Sequence, residues 1–359
     1  MVFPLFIGTN TAKPGEAGSR GIYSALFDAR TGSAELPRLV GEVASPTFLA
    51  VHPRKAVLYS SSEVYGGDEG FVTAWKIEPD AGLSLLGSVS SGGRAACFVA
   101  VDPRHELVYA TNFGTGSVGV FRLREDGGLE APVSLVQREG SGPVPKAQAQ
   151  PRPHSVNPHP ERDLVVVADL GTDEVAVYGV DPSNGKLLDV PVSSAKARRP
   201  GAGPRHVAFH PDGLRFYVVN ELDGTVSSFA LEPESHRLRE IAQFQIGGDD
   251  ATWASEIRMH PSGRFLVAAA RTPGVLTVFA VDETSGELRA LQTIEAGGEV
   301  ARNFEIDPTG AFLLVANNES DRVSAFAMSP GDGLLERREG LDIEVFRPAC
   351  IRFGAALPT

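Results

Sequence analysis

The sequence predicts an all-β chain folded as a seven-bladed β-propeller, with its last blade closed by strands from both chain termini. Three observations predict it. A short apolar stretch ends in His-Pro or Asp-Pro six times, at His52-Pro53, Asp102-Pro103, His159-Pro160, His210-Pro211, His260-Pro261 and Asp307-Pro308. These anchor prolines stand 50, 57, 51, 50 and 47 residues apart, and short strands repeating at that period are the pattern of a four-stranded propeller blade. The two chain ends carry complementary fractions of one further unit, so the ring closes without a bare sheet edge.

Each element follows in order. After an anchor comes a turn and then an apolar strand, as in Val57-Leu58-Tyr59, Leu107-Val108-Tyr109, Phe216-Tyr217-Val218-Val219 and Phe312-Leu313-Leu314-Val315. A third strand alternates with period two, as in Val175-Ala176-Val177-Tyr178 and Val323-Ser324-Ala325-Phe326. Its β-branched and aromatic content favours strand over helix. A turn such as Asn184-Gly185 or Ser285-Gly286 leads to the fourth. At the N-terminus Phe6-Ile7-Gly8-Thr9-Asn10 reads as a second strand and Ile22-Tyr23-Ser24-Ala25-Leu26 as a third. Their missing first strand is Cys350-Ile351-Arg352-Phe353. No linker divides the units, so residues 1–359 are expected to form one domain.

Composition narrows the function. Lys plus Arg is 33 against 45 Asp plus Glu, a formal charge of −12, which argues against a general nucleic-acid binder or an anionic membrane surface. Apolar residues at 42% suffice for a full core. Cys97 and Cys350 cannot make a disulfide framework or a Cys-rich zinc site. Met1 to Gly8 lacks the basic start of a signal peptide, and no apolar run is long enough to span a bilayer. A cytoplasmic location is therefore expected. The oligomeric state stays open.

Counting from the anchors locates a candidate site. The first strand of a blade lines the central channel, and its start lies beside the end of the antiparallel second strand. Six residues before the anchors stand Thr47, Cys97, His154, Arg205, Ser255 and Arg302; ten after stand Glu63, Phe113, Leu170, Glu221, Arg271 and Asn318. One place before these last is a row that includes Asn112, Asn220 and Asn317. Thus His154, Arg205, Glu221, Arg271 and Arg302, distant in the chain, map to one rim, with Glu256 one residue further along its strand. Arginine presents a planar fork suited to carboxylate or phosphate, and a concave mouth focuses its field on an anionic ligand. Polar strand ends are otherwise ordinary, so the weight rests on the convergence.

Other residues read as architecture. His52, His159, His210 and His260 recur in the anchor turn. Cys97 maps to the rim with no histidine assigned to it and reads as a bystander thiol. No phosphate-cradling glycine loop, CxxC or HExxH pattern occurs. Three nearby guanidinium groups would oppose a cation, so neither a metal nor a cofactor is expected. The Lys196–Arg199 run reads as a solvated loop.

At these residues the chain resembles the seven-bladed lactonases, which include the propeller-type 6-phosphogluconolactonases and the fungal 3-carboxy-cis,cis-muconate cyclases. The likeness is carried by Pro153-His154-Ser155-Val156, Gly201-Ala202-Gly203-Pro204-Arg205-His206, Val219-Asn220-Glu221-Leu222 and Glu256-Ile257-Arg258, and more weakly by Arg302-Asn303-Phe304. The resemblance implies hydrolysis of a small anionic sugar lactone, with His154, Arg205, Glu221 and Arg271 as catalytic residues. Arg302, Arg152, Asn220 and Glu256 are expected to bind substrate. Two departures bear on the substrate: Arg152 where many members carry a histidine, and the segment Asp250-Ala251-Thr252-Trp253-Ala254. A cyclase running ring chemistry in reverse, and a non-enzymatic propeller that binds partners, are the alternatives.

Overall fold

The structure, a computed structural model, describes residues 1–12, 17–67, 69–248 and 252–357. Of the unusual segment near the rim, Asp250 and Ala251 lie outside the described residues. The strands form seven antiparallel sheets, numbered here as blades in order of their second strand. Blade 1 pairs Val2–Thr9 with Pro348–Phe353 from the other end of the chain, and its register sets Leu5 opposite Phe353 and Ile7 opposite Ile351. Blades 2 to 7 begin with Leu49–Val51, Ala96–Asp102, Pro153–Pro158, Pro204–Phe209, Thr252–Met259 and Ala301–Ile306. Each of these innermost strands touches the next, and Pro348–Phe353 touches both Ala301–Ile306 and Leu49–Val51, so the ring is closed.

The anchor turns bolt neighbouring blades together. In His159 the Nδ1 atom accepts the backbone N–H groups of Glu161 and Arg162, both at 3.1 Å, and Nε2 donates to the Gly213 carbonyl of blade 5 at 2.7 Å. His260 repeats this toward Gly310 of blade 7 at 3.0 Å. Gly310 has φ +78°, and a Cβ there would sit 2.4 Å from the His260 ring, so only glycine fits. Asp102 and Asp307 replace the anchor histidine because their carboxylates accept the same turn N–H groups, from Arg104 at 3.0 Å and Thr309 at 2.9 Å. Tyr59 and Tyr217 add a second bolt, each donating to a glycine carbonyl of the following blade at 2.7 Å.

One irregularity recurs and positions the site. Six residues before the anchor, the innermost strand carries a β-bulge. In blade 4, Pro153 faces Asp169 and Ser155 faces Ala168, leaving His154 outside the ladder. Cys97, Arg205, Ser255, Arg302 and Ala349 are skipped in the same way. Two residues earlier, the backbone is left-handed at Ser45, Ala95, Gly203, Trp253, Val300 and Arg347, with φ between 39° and 72°. Its carbonyl, in the blade of Gly203, holds the Glu221 N–H at 2.7 Å; Ser45 holds Glu63 in the same way at 3.0 Å. A bulge sends two successive residues to the same side of the sheet. Arg205 and His206, and likewise Arg302 and Asn303, therefore both reach the channel.

The channel is closed halfway. Phe48 and Phe98 stack at 4.0 Å between centroids, and the His206 ring meets them edge-on at 5.3 and 5.1 Å. These residues come from blades 2, 3 and 5, so the contacts cross the axis and separate a front mouth from a back one.

Candidate active site

The front mouth gathers the bulged residues and the ends of the second strands. Glu221 is its centre. Its Oε2 atom lies 2.8 Å from Arg205 Nε, 2.8 Å from an Arg271 terminal nitrogen and 3.8 Å from His154 Nε2. The backbone of Glu221 is fixed on both sides: its N–H donates to Gly203, and its carbonyl accepts from Ala254 of blade 6 at 3.0 Å. Arg271 is held by its neighbours too. Its Nε donates to the Trp253 carbonyl at 3.1 Å, and its guanidinium lies 5.4 Å from the half-exposed Trp253 ring. Arg205 is 3% exposed and also donates to the Ser255 carbonyl, which ties blade 5 to blade 6.

Burial and charge decide the protonation states. Burial alone would raise the Glu221 carboxyl, but Arg271 and Arg205 outweigh it and hold the group below its usual value. Burial pushes His154 well below the ordinary histidine value, and Arg205 and His206 push in the same direction. The imidazole is therefore neutral at pH 7. Burial lowers Arg205 to about 10, which leaves it charged.

A second cluster faces the first. Arg302 donates to Glu63 Oε2 at 2.7 Å, and the same carboxylate accepts the hydroxyls of Thr47 at 2.5 Å and Tyr65 at 2.6 Å. Counting ten residues past the anchor names Glu63 as well as Glu221. Its partnership with Arg302 spans blades 2 and 7 and has no counterpart in linear spacing.

The structure thus brings together His154, Arg205, Glu221 and Arg271, and sets Arg302 opposite them. Arg152 stands one layer out: its guanidinium lies 4.8 Å over Phe113, whose ring meets His154 at 5.4 Å, and it donates to the Lys146 carbonyl at 3.1 Å. Two residues expected to touch substrate have their side chains engaged elsewhere. The Asn220 amide turns away from the mouth and donates to Thr225 and Ser227, both at 2.9 Å, bracing its own sheet as Asn317 does through Ser324. Glu256 is fully buried one layer deeper, because the bulge at Ser255 turns the next residue into the closed part of the channel. There it accepts from His206 at 2.9 Å, from Arg258 at 2.7 Å and from Asn303. Cys97 does have a histidine neighbour: its sulfur lies 3.9 Å from His154 Nδ1, since both occupy bulges in adjacent blades. Burial raises that thiol to about 12, so it stays protonated.

Replacing Asn220 with alanine is expected to cost about 1–3 kcal/mol, the penalty for unpaired buried partners, without changing turnover by the folded fraction. A thermal melt beside a kinetic assay checks both halves. Among the described residues no group of three or more His, Cys, Asp or Glu is placed to hold a metal ion.

Fold and mouth together define a β-propeller with a polar axial mouth, built from the innermost strands and the ends of the second strands. The chain belongs to the seven-bladed β-propeller lactonase family, whose pattern matches residues 4–353. It is 33% identical over 352 residues to a 6-phosphogluconolactonase of Bacillus subtilis (strain 168), covering 97% of each chain. Among solved structures it is similar to a putative 6-phosphogluconolactonase from Bacteroides fragilis, at 30% identity and TM-score 0.90, over 99% of this chain and 98% of that one. The periplasmic gluconolactonase PpgL of Pseudomonas aeruginosa gives 29% identity and TM-score 0.90, with full coverage of both chains.

Proposed function

We propose that this chain hydrolyses a small anionic sugar lactone of the 6-phosphogluconolactone type at the front mouth. The observation that carries the reading is the Glu221 carboxylate, ionised and clamped at Oε2 by two arginines. Its Oε1 has no partner among the described residues and serves as the general base. A water gives a proton to Oε1 while its oxygen bonds to the lactone carbonyl carbon. The free nitrogens of Arg205 and Arg271 stabilise the oxyanion that forms. When the oxyanion collapses, the ring C–O bond breaks, and the leaving oxygen takes the proton back from Glu221. The neutral His154 imidazole, its Nε2 3.8 Å from Glu221, orients the carboxylate or the substrate. Arg302 binds the distal phosphate, and Arg152, beyond Phe113 and His154, adds positive charge from the other side of the mouth. The two cysteines are free and buried, which fits the cytoplasmic location in this proposal.

Acid release from 6-phosphogluconolactone, followed at constant pH, tests the reading. A rate no higher than the spontaneous one overturns it, and loss of carboxymuconate absorbance instead would select the cyclase. The pH profile is a further prediction. Protonating Glu221 removes the base, so kcat/KM is expected to fall only as pH drops through its depressed pKa, below the ordinary value of 4.5. A limb near 6.5 would instead mark an unperturbed histidine. Stability moves in the same direction. His206 is held neutral by burial down to about 3, whereas the unfolded chain takes up that proton near 6.5. The unfolded state then binds more protons, so Tm should fall as pH drops from 6.5 toward 3.

A further inference from the structure

The back mouth, beyond the aromatic layer, holds a second cavity of about 510 Å³. Its two sides differ in kind. Blades 2 and 3 contribute Ala50, Val51, Ala100 and Val101, above which Phe98 forms the apolar ceiling. Three residues before the anchor, where these two blades carry alanine, blades 6 and 7 carry Arg258 and Glu305, and the strand that closes blade 1 adds Arg352 beside them. Small side chains on one arc leave the space, and charged ones on the other face it.

The charged arc sets two guanidinium groups, Arg258 and Arg352, against two carboxylates, Glu305 and Glu256, yet leaves donors over. Glu305 Oε2 is shared by Arg352 at 2.8 Å and Arg258 at 3.3 Å, two guanidinium groups on one carboxylate. Glu256 also takes Arg258, but from the closed layer above, where it is fully buried. Arg352 makes its hydrogen bonds through Nη1 alone, and Arg258 through Nε and Nη1. Among the described residues the Nη2 donors of both are unspent. The Arg352 guanidinium carbon lies over the Phe48 ring, 4.6 Å from its centroid.

We propose that this cavity is a binding site for a small organic carboxylate with an apolar body. The carboxylate takes the Nη2 donors of Arg258 and Arg352, for which planar, charge-assisted pairing is the favoured geometry. The hydrocarbon part lies against Ala50, Ala100, Val101 and Phe98. The volume is in the range of small-molecule pockets, which are largely apolar with few convergent polar groups. The Phe48–Phe98–His206 layer keeps this ligand apart from anything held at Glu221, so the site is independent of the lactonase reading.

Titrating the full-length chain with hexanoate by calorimetry tests it, alongside Glu221→Gln, Arg352→Met and Ala100→Leu. Saturable binding is expected in the wild type and, with unchanged Kd, in Glu221→Gln. Arg352→Met should weaken it at least about tenfold, the loss of one charge-assisted bond. Ala100→Leu should weaken it similarly by filling the space that alanine leaves, and it decides the matter if Arg352→Met does not fold. Absence of saturable binding, its loss in Glu221→Gln, or wild-type affinity in Ala100→Leu overturns the proposal.

Discussion

Glu221→Gln is expected to lower kcat by about 10²–10⁴-fold, the usual contribution of a positioned general base. The substitution is isosteric, so Arg205 and Arg271 keep an oxygen to bind at the position now 2.8 Å from each. What disappears is the negative charge and, with it, the capacity to take a proton from water. The backbone ties of residue 221 to Gly203 and Ala254 do not depend on the side chain, so the ring should stay closed. Steady-state kinetics on the proposed lactone, with circular dichroism to check the fold, read both. Turnover within about tenfold of the wild type would remove Glu221 from the chemistry.

Arg205→Ala is expected to act on rate and stability together. Loss of one oxyanion donor typically costs about 10²–10³-fold in kcat. The guanidinium is also buried between blades 5 and 6, bonded to Glu221 and the Ser255 carbonyl. Removing one partner of a buried ion pair costs about 3–5 kcal/mol. The variant should therefore melt markedly lower, and the residual activity must be compared well below its Tm. Arg205→Lys separates the two effects. It keeps the charge but cannot fork between Glu221 and Ser255, so it should recover more stability than rate. If Arg205→Ala keeps kcat/KM within about tenfold, the oxyanion role is wrong.

The blade count and the closure by both termini were legible because β-structure makes spacing along the chain proportional to position on the disc. That same proportionality let the anchor prolines place His154, Arg205, Glu221 and Arg271 on one rim. It failed where side-chain direction mattered. Glu256 sits one residue from the Ser255 bulge, and the bulge reverses the alternation that would otherwise have sent its carboxylate elsewhere. Asn220 directly precedes Glu221, yet a regular strand turns neighbouring side chains to opposite faces, and its amide goes to Thr225 and Ser227. Contacts across the ring, such as Arg302 with Glu63 or Phe48 with His206, join segments whose separation in sequence carries no information about their meeting.

The recurring bulge also bears on how such a molecule changes over evolutionary time. The residue at each bulge lies outside its sheet's hydrogen-bond ladder, so mutation there alters what the mouth presents while the ladder beside it persists. Cys97, His154, Arg205, Ser255, Arg302 and Ala349 already range from methyl to guanidinium on one backbone geometry. Selection can therefore change what the mouth presents one position at a time while the backbone ladder stays intact, the stability cost resting with the ion pairs that a buried side chain such as Arg205 makes.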